Sequence, residues 1–148
     1  MREPIADPDG TFNGRLAPRS QAKLLHLFSW LMLVTGIIGI LYGWFWHGLA
    51  VCVGGVLSLI HWSDPMIFSW QRLTDVTWAN MLLCIHLIAA ANTAIFIPYL
   101  FMMFVASGFY YLSWDAIKRH NASWPSTIAH MAMHTCGHIS AITLYVYG

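Results

Sequence analysis

The chain has 148 residues, 58% of them apolar and only 9% charged, with eight Trp, eight Met and a formal net charge of +1. Such a composition excludes a soluble globular core and a nucleic-acid surface, and matches an integral membrane protein. Cys52, Cys84 and Cys136 each sit in an apolar run with no CxxC pair, so they read as small buried hydrophobes.

Residues 1–21 form a polar N-terminal extramembrane tail rich in Pro, Gly and Asp. It lacks the apolar region of a signal peptide, and Glu3, Asp7 and Asp9 argue against a mitochondrial transit peptide. Residues 22–148 read as a single transmembrane helical domain. No charge occurs from Leu24 to Ser63, from Val76 to Trp114, or from His120 to Gly148, stretches of 40, 39 and 29 residues. One helical crossing of the hydrocarbon layer takes about 20 residues. The first two stretches therefore predict helical hairpins and the third a single helix, an all-α bundle of about five transmembrane helices. Arg2, Arg15, Arg19, Lys23, Arg72, Lys118 and Arg119 fall in the tail, the loop after the first hairpin and the loop before the last helix. Five crossings put these segments on one side, which the positive-inside rule makes the cytoplasmic or matrix-like side, with the N-terminus inside. The expected setting is a multi-pass protein of an endomembrane or of a mitochondrial or plastid inner membrane.

In the first hairpin, Gly36, Gly39, Gly54 and Gly55 suit close helix packing, and the turn is expected near Gly43–Gly48. Ser63-Asp64-Pro65 reads as an N-cap with Pro at the first position of a short interfacial helix. Asp75 is expected to open the third helix. The second hairpin should turn near Asn92-Thr93, with Pro98 early in its second arm. Asn121-Ala-Ser123 matches a glycosylation sequon but falls on the inner side. The last helix is expected to begin near Pro125-Ser126.

That last helix carries His130, His134 and His138. Steps of four residues advance about 40° each, so the three imidazoles share one face over about 12 Å. Ionisable side chains in a membrane helix are functional candidates. Topology brings Ser58 and His61, at the end of the second helix, to the same depth as Asp75, His130 and His134, with His138 and His86 deeper. Three histidines from two helices, His61, His130 and His134, have the composition of a catalytic zinc site with an open fourth position. Asp75 would orient or deprotonate a water there, and Ser58 would donate to an oxyanion. His86 and His138 read instead as a hydrogen-bonded pair or as axial ligands of a b-type haem.

Ser58-Leu-Ile-His61, Asp75 fourteen residues on, and His130-x-x-x-His134 in the last helix resemble the CREST superfamily of alkaline ceramidases and adiponectin/progestin receptors. The resemblance implies zinc on His61, His130 and His134, Asp75 assisting the water, and a lipid amide or related lipid as substrate. The superfamily has more crossings than the five counted here, and its Ser-to-His spacing is one residue longer. Two functions fit the chain. One is a zinc-dependent membrane hydrolase acting on a lipid amide or ester, with a hydrophobic cavity opening sideways to membrane lipid. The other is a small accessory subunit of a larger respiratory or photosynthetic membrane complex. Such a subunit would be held through its tail and transmembrane surface, with histidines binding haem or pigment or packing helices.

Overall fold

Hydrocarbon cannot satisfy backbone N–H and C=O groups, so so apolar a chain must pair them within helices. The computed structural model describes residues 14–120 and 123–148, which form five α-helices. Most of the predicted tail, residues 1–13, and the Asn121 sequon position lie outside the described residues. The helices are α1 (Arg19–Leu41), α2 (Phe45–Ser63), α3 (Trp70–Ala90), α4 (Phe96–His120) and α5 (Ser123–Tyr147). By length and composition, α1 to α4 are apolar enough to cross a membrane. α5 has 25 residues and so the length, but not the apolar composition, of the other four. Several of its polar groups are turned inward, with Thr127 and Ser140 buried. A hydropathy average counts such groups against a helix even when neighbouring helices satisfy them.

α1 packs along α2 through backbone. A Cβ added at Gly36 would lie 2.6 Å from the Gly48 carbonyl oxygen, and one at Gly48 would lie 2.7 Å from the Ile40 nitrogen. Gly43 makes the turn between them in the left-handed region, at φ 86°, which glycine adopts at no steric cost. His26 Nδ1–H donates to the Leu59 carbonyl, 3.0 Å away, and Trp78 Nε1–H on α3 donates to Ala50 on α2 at 2.9 Å. α5 packs against both α4 and α1, and α3 lies against α2. α3 and α4 are consecutive in the chain yet barely touch.

Two corrections concern the connection between α2 and α3. Ser63 and Asp64 end α2 rather than capping a new helix, and no helix forms before Trp70. Pro65 accepts instead from Leu16 N–H at 2.9 Å, Ile67 N–H donates to the Gly14 carbonyl, and Arg15 pairs with Asp64 at 2.9 Å. The segment just before α1 is thus strapped to this loop. Asp75 does not open α3 either. Ser69 is the N-cap, its hydroxyl accepting from Arg72 N–H at 3.2 Å, which leaves Asp75 in the second turn.

Gln21 closes the same end of the bundle. It is fully buried, donates from Nε2 to Ser123 Oγ at 3.0 Å, and accepts at Oε1 from Thr127 at 2.8 Å, joining α1 to the start of α5. Arg72 on α3 lies over the Trp114 ring of α4 at 5.9 Å, with Lys118 Nζ over the same ring at 5.1 Å. At the opposite end, Ala90, Tyr99 and Leu144 form a buried cluster against Trp44. The bundle thus has a basic end, at Gln21 and Arg72, and a turn end, at Ala90 and Leu144.

Candidate functional site: a histidine-lined chamber

Helices joined at both ends but parted in the middle leave space between them. Here it is a cavity of about 470 Å³ with walls from all five helices. That volume lies within the range of small-molecule sites. Asp75, His61, His130, His134, His138 and His86 all line it. Ala79, Asn80 and Leu83 on α3, and Ser107 and Tyr110 on α4, line it as well and are exposed. The chamber therefore opens sideways, between α3 and α4.

Position on α5 sets the histidine row. His130 and His134 are one turn apart on the face turned to the chamber, and their Nε2 atoms lie 3.2 Å apart. One of these nitrogens carries the proton and donates; the other accepts. The His138 ring stacks on His134 at 6.3 Å, and its Nδ1 lies 3.0 Å from Thr35 Oγ1 on α1. Its Nε2 is buried without a partner among the described residues.

His61 reaches the chamber from the end of α2. Its ring packs on Trp62 at 4.8 Å, and Trp62 meets His130 edge-on at 5.2 Å. Nδ1 of His61 is likewise buried and unpartnered. Asp75 is half-buried in the chamber wall and makes no hydrogen bond or ion pair among the described residues. Ser58 is buried but faces away from the chamber, with its hydroxyl 3.1 Å from Ser29 Oγ on α1. Three residues turn a helix by about 300°, leaving Ser58 and His61 about 60° apart, enough for them to face different neighbours.

His86 is committed to the packing of the turn end. Its Nδ1–H donates to the Leu82 carbonyl at 2.9 Å, so in the neutral ring Nε2 accepts from the Tyr145 hydroxyl, 2.8 Å away. Both nitrogens are used, and neither is free for an iron. Gly39 makes room for that phenol, since a Cβ there would lie 2.8 Å from the Tyr145 ring. Sequence spacing did not point to Thr35, Tyr145, Arg72 or Gln21, because each acquires its role only from a helix packed across from it.

The fit to zinc rests on the spacing of the His pair. Two nitrogens at about 2.0–2.1 Å from one ion, at a tetrahedral angle, are about 3.3 Å apart. The observed 3.2 Å between His130 and His134 Nε2 meets that spacing. His61 does not join them: among the described residues no three His, Cys, Asp or Glu side chains are grouped closely enough to hold a metal ion. Of the three residues expected as ligands, His130 and His134 lie at that spacing. No family model, no curated protein and no solved structure matches this chain.

Proposed function

We propose that the protein is a multi-pass membrane hydrolase, zinc-dependent, acting on a lipid amide or ester inside the chamber. The observation that carries this reading is the His130–His134 pair at ligand spacing on the wall of a cavity that opens between α3 and α4. His130 and His134 would hold the metal, and His61 and His138, each with an unpartnered buried ring nitrogen in the same chamber, are the further donors that line it. When bound, zinc supplies Lewis acidity, bringing a coordinated water to a pKa near 7 and polarising an acyl carbonyl.

The chain's own groups do the rest. The gap between α3 and α4 admits a lipid from the bilayer without carrying it through water. The unpaired Asp75 carboxylate takes a proton from the attacking water, whose oxygen bonds to the acyl carbon. The same proton passes to the departing amine or alkoxide as the acyl C–N or C–O bond breaks, so one water is consumed. Ser58 has no part, since its hydroxyl is bonded to α1. The basic end faces the cytoplasm or matrix, as the positive-inside rule requires.

The test is hydrolysis by protein reconstituted in nanodiscs, with a fluorogenic N-acyl amide as substrate. Turnover should be lost with a chelator and return with zinc. Turnover unaffected by chelation, or none with zinc present, overturns the proposal.

A further inference from the structure

The chamber runs along the helices rather than across them, and its two ends differ. Tyr99 on α4 packs in one buried cluster with Leu144 on α5, so both stand at one level, and Tyr99 also lines the chamber. His134 lies ten residues before Leu144, or about 15 Å along α5. Between them is Gly137, which also lines the chamber, and a Cβ added there would meet no atom within 4 Å. Its missing side chain is open space in the chamber wall that His134 also lines, about one turn further along α5. The passage beside the histidine pair thus stays clear at Gly137 and ends at Tyr99.

We infer that the chamber is a length gauge for one acyl chain, with the polar group at the His130–His134 pair and the methyl end against Tyr99. The occupant is a lipid tail because the opening between α3 and α4 lies within membrane-crossing helices, where the neighbouring medium is hydrocarbon. At about 1.25 Å per methylene, from C–C bonds of about 1.5 Å, 15 Å holds about 12 carbons. Moving from bilayer to chamber gives a tail no hydrophobic gain, since both are apolar. Selection comes from fit: a short chain leaves a void with lost dispersion contacts, and a long one meets Tyr99. This inference rests on the chamber being a lipid site and does not depend on the metal.

The test uses chelator-treated protein in nanodiscs and an N-acyl ethanolamide of about 12 carbons with a diazirine at its methyl end. Photolabelling should fall on Tyr99 and its chamber neighbours Leu82, Met103 and Ala141, and unlabelled competitors of that length should displace it best. Gly137→Phe should lower labelling of those residues about tenfold, whereas Gly108→Phe, at an exposed position outside the chamber wall, should leave it unchanged. Tyr99→Ala should move the best competitor to longer chains. Labelling confined to outward residues such as Phe104 and Ile128, or competition that rises with length alike in every variant, overturns the gauge. Because no turnover is measured, a gauge without zinc or hydrolysis refutes the hydrolase alone, and zinc-dependent hydrolysis without the gauge refutes only this inference.

Discussion

Gly48→Leu is expected to separate α1 from α2 and to leave little folded protein. The two nearest atoms met by a side chain at Gly48 are backbone: a Cβ would lie 2.7 Å from the Ile40 nitrogen and closer still to the Gly36 carbonyl. A flexible side chain would yield, but a helix backbone cannot move without dragging its neighbours. Overpacking a well-packed site costs about 1–3 kcal/mol, and a backbone clash belongs at or above the upper end. Since α1 also carries Gln21 and Thr35, its displacement would break both hydrogen-bonded ties to α5. Gly108→Ala is the control, because a Cβ there meets nothing within 4 Å. Denaturant titration in mixed micelles should give a large loss for Gly48→Leu and none for Gly108→Ala. Equal stability of Gly48→Leu and wild type would mean that the helices do not meet in this way.

Asp75→Asn is expected to cost the largest share of turnover with the least disturbance of structure. The carboxylate makes no hydrogen bond or ion pair among the described residues, so the fold does not lean on it. The amide is nearly isosteric and cannot take a proton from water. Loss of a general base lowers rates by about 100-fold to 10,000-fold. The variant should therefore retain its zinc and its unfolding midpoint while kcat falls by about 100-fold or more. Turnover within a few-fold of wild type would remove Asp75 from the reaction.

Much of the helical layout is legible in the chain because long uncharged stretches and clustered basic residues are strong constraints in a membrane. Pro98 and the turn before α4 fall where the residues suggest, with Ala90 ending α3 and Phe96 starting α4. α3 starts well before the expected Asp75 because the Ser69 hydroxyl accepts from Arg72 N–H and caps it, while Asp64-Pro65, expected to open a helix of its own, is taken up instead by the pairing of Pro65 with Leu16. In α5, four-residue spacing set His130 beside His134, since both lie on one helix and need no partner to be placed. Ser58 and His61 show where such reasoning stops. A spacing of three gives nearby directions, but the neighbours α1 and the chamber divide them. Likewise nothing in the pattern around His86 shows that Tyr145, 59 residues on, will take its free nitrogen. Contacts between helices far apart in sequence depend on rotation about each helix axis, which composition does not fix.

Zinc binding by His130 and His134 is tested most directly by the metal content of the purified protein, measured by mass spectrometry, for wild type and for His130→Ala/His134→Ala. Near-stoichiometric zinc is expected in the wild type and only background in the double variant, with both proteins folded. A metal-free wild type after purification in zinc-containing buffer, or equal zinc in the two proteins, would contradict it.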